Sequence, residues 1–364
     1  MTQFRPKASM VLTWLVVAAP VTGQGHHHHS GGDVPATEAR VQVLHDAEHE
    51  DIVVLLGPFS LPAGGNTMRL TPALPVPVPV DGWVTDFRAQ VVDEGGRELP
   101  REILHHVNLV RPDRRELFFP AMQRLAAAGQ ETGHVGIPFP FGVPVSEGDT
   151  LLVASMIHNP TGRPIRVLVE GRLHYDTPAW LDRLGVQPFY MDIQPPPMEA
   201  AFDLPPGRST YSWEGSPAID VEVLGLGGHL HRHAVEMRLE VLRPDGEPRV
   251  LWRTEPEFGP AGRVKEVPRK TFLLRLGLGL SADRTYRIVV VYDNPTGEVI
   301  PAGGMAELAG VVWPESTWPR TDPTDPTFLA DYRNFTRNNP ALRDRYGVGD
   351  LPPLQVAGGP EEMP

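Results

Sequence analysis

An apolar run closed by one polar residue and then Asn-Pro-Thr-Gly occurs twice in this chain, as VASMIHNPTGRPI (residues 153–165) and VVVYDNPTGEVIP (residues 289–301). A histidine pair precedes each copy, His105 and His106 before the first, His229 and His231 before the second. From the second histidine of a pair to the polar residue the separations are 52 residues (106 to 158) and 62 residues (231 to 293). Two distant stretches that repeat the order histidine pair, strand, polar residue and turn point to a duplicated β unit. A length of 364 residues accommodates two cores.

The rest of the sequence fits that frame. Its 41 prolines and 36 glycines separate short runs rich in Val, Leu and Ile, the pattern of many short strands joined by turns, so the expected class is all-β. PALPVPVPVDG is a Pro-punctuated edge or crossover, and GDTLLVASMIHNPTG a buried strand ending in a turn. One segment, PAMQRLAAAG (120–129), suggests a short helix. The Pro triplet at 195–197 marks the boundary between the units, giving a first unit over 41–197 and a second over 198–315. Residues 316–364, rich in Pro, Asp, Asn and Arg, are expected to form an extended tail that wraps the body and carries no chemistry.

At the N-terminus, Arg5 and Lys7 precede the apolar MVLTWLVVAAPV (10–21) and then small residues, which describes an export signal over 1–25; an uncleaved anchor is the other reading. A secreted or periplasmic protein is therefore expected, with no membrane contact after cleavage. The linker over 26–40 opens with four histidines, His26 to His29, either a tag or a natural metal-collecting tract. A net charge of −12 disfavours nucleic acid and acidic membranes as partners. There is no cysteine, which excludes disulfides, thiolate metal sites and a cysteine nucleophile.

Any metal must use His, Met or carboxylate. His229, His231 and His233 alternate along GLGGHLHRHAVEMRLEVL (225–242), so on a strand all three share one face, away from Leu230 and Arg232. His105 and His106 are adjacent and diverge on an ideal strand; they share an ion, with His158, only where the backbone is bulged or the strand ends. Imidazole suits Zn, Cu, Fe and Ni, and a thioether selects Cu(I). Met305, following the second Asn-Pro-Thr-Gly, is the thioether best placed to join the second pair, with an ordinary core Met as the alternative; Met156 and Met237 are expected in the core. Two weaker readings are a metal-dependent hydrolase, for which Glu236 faces the wrong way and no H-E-x-x-H exists, and a carbohydrate-binding sandwich using Trp180, Trp213 and Trp252, which core packing explains as well.

The fragments LHHVNL, MIHNPTG, GGHLHRH and DNPTGEVIPAGGM, within residues 40–314, give this chain an order of ligands that resembles the copper type II, ascorbate-dependent monooxygenases, the group of peptidylglycine alpha-hydroxylating monooxygenase and dopamine beta-monooxygenase, in a bacterial branch. The resemblance implies two tandem jelly-roll β-sandwich domains and two copper ions per chain. It assigns His105, His106 and His158 to an electron-transfer copper, and His229, His231 and Met305 to an oxygen-binding copper that performs catalysis. It also implies O2, a small-molecule substrate hydroxylated at a C–H bond, and ascorbate as reductant. The chain departs from the family in lacking cysteine and in carrying Gly227 where the peptide-amidating members have an Arg that anchors the substrate carboxylate. An alternative alignment puts Leu308 at the thioether position, with His233 as a third histidine. The competing function class is a non-catalytic copper-handling protein.

Overall fold

The computed structural model describes residues 34, 39–129, 134–177, 183–198, 200–244, 247–259, 262, 264–272, 277–314 and 316–346; the export-signal segment, the His26–His29 tract and Trp180 lie outside the described residues. The first unit runs through β1 (Val41–Asp46), β2 (Asp51–Leu61), β3 (Gly65–Leu70), β4 (Leu74–Pro77), β5 (Gly82–Val92), β6 (Leu104–Arg115), β7 (Met122–Gly129), β8 (His134–Gly136), β9 (Phe141–Val145), β10 (Thr150–Asn159), β11 (Ile165–Asp176) and β12 (Leu184–Gly185). The second runs through β13 (Gln187–Asp192), β14 (Phe202–Leu204), β15 (Gly207–Gly215), β16 (Val221–Leu230), β17 (Ala234–Leu242), β18 (Pro248–Thr254), β19 (Glu257–Phe258), β20 (Val264–Glu266), β21 (Lys270–Thr271), β22 (Leu278–Leu280), β23 (Tyr286–Asn294), β24 (Ile300–Gly304) and β25 (Ala306–Pro314).

Each unit stacks two mainly antiparallel sheets over its own core, so the architecture is all-β, two tandem jelly-roll sandwiches. In the first, β1-β2-β11-β5-β9-β12 packs on β3-β10-β6-β7; in the second, β13-β25-β16-β21 packs on β15-β23-β17-β18. Period-two patterning decides which face is covered. On β11, Val167, Val169, Leu173 and Tyr175 enter the first core, while Arg172, His174 and Asp176 alternate with them toward solvent. On β23, Tyr286, Ile288, Val290 and Tyr292 do the same for the second core.

The repeated Asn-Pro-Thr-Gly makes the same turn twice. Asn159 Nδ2 donates to the carbonyls of Leu61, Pro62 and Arg163, and its Oδ1 accepts from the Thr161 amide and hydroxyl. Asn294 Nδ2 donates to Leu204, Pro205 and Glu298, and its Oδ1 accepts from the Thr296 amide and hydroxyl. Both asparagines are buried, so each satisfies its own amide while tying a strand end to an incoming loop.

Three expectations need correction. PAMQRLAAAG contains no helix: residues 122–129 are β7, paired with β6 from His106↔Gly129 to Arg115↔Met122. Ala and Leu favour helices weakly, and pairing with burial on both faces overrides that preference. The second sandwich begins upstream of the Pro triplet, because β13 pairs with β25 along its whole length. The tail is extended only at first. Trp318 Nε1 donates to Arg115 O and Thr321 Oγ1 to Pro112 O, after which the chain forms α1 (Pro326–Thr336) and α2 (Pro340–Arg343). Asp325 caps α1 by accepting from the Thr327 and Phe328 amides, with Pro326 in the first turn. Phe328 and Tyr332 then cover Val110, Met122 and Leu152 on the outer face of the β3-β10-β6-β7 sheet.

The sandwiches are locked together by the β6–β7 connection. Leu117, Phe118, Phe119 and Ala121 leave the first unit and pack in the second core, where Phe118 meets Phe189 at 5.9 Å and Tyr286 at 6.3 Å between ring centroids. Behind them, Arg124 of β7 reaches Glu116 at 2.9 Å, Asp192 at 2.7 Å and Glu307 at 3.0 Å, all buried. Its guanidinium also lies 4.1 Å from the centre of the Tyr190 ring.

Candidate metal centre between the sandwiches

The first-unit histidines converge through an irregularity in β6. Against β10 the register runs Met156↔His106 and then Ile157↔Leu104, leaving His105 as an extra residue. Leu104 and Val107 face the first core, so this bulge places both His105 and His106 on the opposite face, with ring centroids 4.9 Å apart. The backbone irregularity that an adjacent pair requires is present. The bulge is fixed from below: Ser155 Oγ donates to the His106 carbonyl at 2.8 Å, and Ser155 exchanges backbone and hydroxyl bonds with Thr71. His158 shares its face of β10 with Met156, which stands directly opposite His106. Met156, expected in the core, is half-buried on the histidine side, a thioether that the apolar run around it concealed.

In the second unit, β16 presents His229 on the face opposite Leu226 and Leu230, which enter the core. That is the same face as Asp192, Glu307 and Tyr190, because His229↔Glu307 and Asp192↔Glu307 are cross-strand partners. The strand ends at Leu230, where the His231 amide donates to the Met305 carbonyl at 3.1 Å; the His229 and His231 rings meet edge-on at 5.2 Å. Tyr292, buried, donates its hydroxyl to that same Met305 carbonyl and accepts from the Met305 amide. The Met305 backbone is thus clamped against His231, whereas Leu308 is fully buried in the second core, opposite Met191 and Gly228. Gly228 permits this close strand contact, since a Cβ there would lie 2.4 Å from the Glu307 carbonyl.

His233 does not continue the face as expected. It sits in the turn after β16 with φ 71, its carbonyl accepting from the Asp293 amide, and its electrostatic neighbours are Arg232 and Asp293. Glu236 is held by Arg238 and Arg253, Trp252 lies in the second core, and Trp213 packs on Phe118 and Phe119, so ion pairing and core packing account for these three residues.

The two histidine groups belong to one electrostatic neighbourhood. Burial pushes His105 down to about 2, and repulsion from His106, His231, His158 and His229 adds to it. His229 is lowered to about 3 by burial and by His231 and His106. Burial takes His231 to about 4, opposed by its bonds to the Gly303 and Ala302 backbone. All three are neutral at pH 7 and keep a lone pair for a metal, and imidazole with thioether is a donor set that copper accepts. The ring nitrogens of His105, His106 and His158 do not all lie within 4.8 Å of one another; among the described residues the group that meets this spacing is Glu50, His174 and Asp176, elsewhere in the fold.

No protein-family model and no curated protein matches this chain. Among solved structures it is similar to PNGase F, a glycosylasparaginase from Flavobacterium meningosepticum, at 8% identity and a TM-score of 0.38, over 74% of this chain and 97% of that one. It is similar to the major capsid protein P2 of bacteriophage PM2 at 12% identity and 0.32, over 73% and 98%. PNGF-II aligns at 12% identity and 0.37, over 76% and 66%.

Proposed function

We propose that this chain is an exported copper protein that uses O2 and a reductant such as ascorbate to hydroxylate a C–H bond of a small molecule. One observation carries the reading: imidazoles from both sandwiches lie close enough to perturb one another, His229 buried and His105 and His231 half-buried, and all three are held neutral. On this reading His105, His106 and His158 would hold one ion once their rings turn to bring the nitrogens together, and His229, His231 and Met305 the other. Copper so bound supplies one-electron chemistry. The chain's own residues set the donors: the bulge turns His105 and His106 to one side, Tyr292 fixes the Met305 backbone, and burial keeps protons off the rings. A copper-handling role is the second reading, favoured by the spread of the first-unit ring nitrogens, which suits exchange better than fixed coordination.

The test begins with copper stoichiometry after removal of His26–His29, which would otherwise bind the ion adventitiously. Two coppers per chain and ascorbate-dependent O2 uptake that disappears in His229→Ala support the enzyme. Two coppers with no O2 uptake across a broad substrate screen favour handling. Failure to bind copper ends both readings.

A further inference from the structure

We propose a further metal site, for a divalent transition ion such as zinc, on the outer face of the first sandwich, formed by Glu50, His174 and Asp176. One ligand atom from each lies within 4.8 Å of the other two. His174 and Asp176 are two apart on β11 and so share its solvent face. Glu50 closes the turn between β1 and β2, and its carbonyl accepts the amide of Tyr175 at 2.9 Å, which pins it to the residue between the two β11 ligands.

The histidine is already oriented for coordination. Asp51, 4% exposed and directly opposite His174 in the β2–β11 register, bonds its Oδ1 to His174 Nδ1 at 3.1 Å. Arg172 Nη1 holds the other oxygen of Asp51. A carboxylate on Nδ1 assigns the proton to that nitrogen and leaves the Nε2 lone pair for a metal, the arrangement by which metal-binding histidines are commonly fixed. Asp176 is held likewise: Arg183 donates to Oδ2, leaving Oδ1. The turn HDAEHED (45–51) crowds Asp46, Glu48, Glu50 and Asp51 together, a concentration of negative charge that a divalent cation would offset. Its field reaches the neighbouring Tyr175, whose hydroxyl is pushed up by burial and then by Glu50, Asp46 and Asp51.

One imidazole nitrogen and two carboxylates, with water in the fourth position, are donors that zinc accepts. Calcium and magnesium prefer all-oxygen shells, and without a sulfur ligand Cu(I) is not favoured. His174 lies about 30 Å along β11 from the Asn-Pro-Thr-Gly turn that follows His158, so the site is remote from the inter-sandwich histidines and independent of the copper reading. Bound zinc would tie the β1–β2 turn to the end of β11.

Zinc titration of the full chain and of His174→Ala, with zinc-edge anomalous diffraction from soaked crystals, tests the proposal. The variant should bind one zinc fewer per chain, uptake of copper(I) under reducing conditions should be unchanged, and an anomalous peak should lie within bonding distance of His174 in the full chain. Asp51→Asn should keep the stoichiometry and weaken this zinc roughly 10- to 100-fold. Equal zinc uptake by full chain and His174→Ala, or no anomalous peak at His174, would overturn it.

Discussion

Replacing Arg124 with Met removes the one guanidinium that Glu116, Asp192 and Glu307 share at 2.7–3.0 Å. Breaking a buried ion pair from one side costs about 3–5 kcal/mol, because the partner charges stay behind without water. At roughly 2–4 °C per kcal/mol for units of this size, the melting temperature should fall by about 6–20 °C. The loss should also depend on pH. Burial raises Glu116 to about 7 and raises Glu307 as well, with Arg124 opposing both. A carboxyl whose folded pKa is raised contributes stability that is complete below its unfolded value near 4.5 and is lost as pH rises through the folded value. Without Arg124 both folded values rise further, so the variant should fall away from the parent above pH 7 by up to about 1.4 kcal/mol per pH unit per carboxyl. Calorimetric melts of both proteins at pH 5.5 and pH 8 measure this. A gap under about 1 kcal/mol at pH 8, or one equal at the two pH values, would refute the reasoning.

Asn159→Ala and Asn294→Ala each strip a buried turn of its side-chain bonds and should each cost about 2–4 kcal/mol in denaturant unfolding, with similar losses in the two units. A loss in one unit alone would mean that the matching networks carry different loads. The metal-free protein should lose stability as pH falls below about 6.5. His105, His229 and His231 have depressed folded values of about 2, 3 and 4, so their contribution is present above the unfolded value and is lost toward pH 4 and below. Denaturant melts at pH 7.5 and 4.5 check this, and His229→Gln should show a shallower pH dependence than the parent.

Much of the candidate site's local geometry was legible in the sequence. The alternating His229 and His231, the adjacent His105 and His106 with their need for a bulge, and the twin Asn-Pro-Thr-Gly turns are all short-range patterns, and backbone geometry turns each into a placement. What escaped depends on pairing at a distance. Asp192, Glu307 and His229 form a row only because β13, β25 and β16 are neighbours, and Glu50 meets His174 only through the β2–β11 register. His233 was misplaced because the strand stops at Leu230 and the chain turns through a left-handed residue. The α1 helix did have a local signal, Asp325 followed by Pro326, but the surrounding Pro and Asp residues hid it.

The aromatic plug of residues 117–121 makes the first half a component of the second's core. A fragment cut at the Pro triplet would keep that plug without its socket and carry β13 as an orphan edge, while the complementary fragment would have an open, greasy hole where Phe118 belongs. For all their internal likeness, the two halves are not interchangeable modules. Separate production of either should give aggregating material, and attempts to dissect the histidine groups should proceed by substitution within the intact chain.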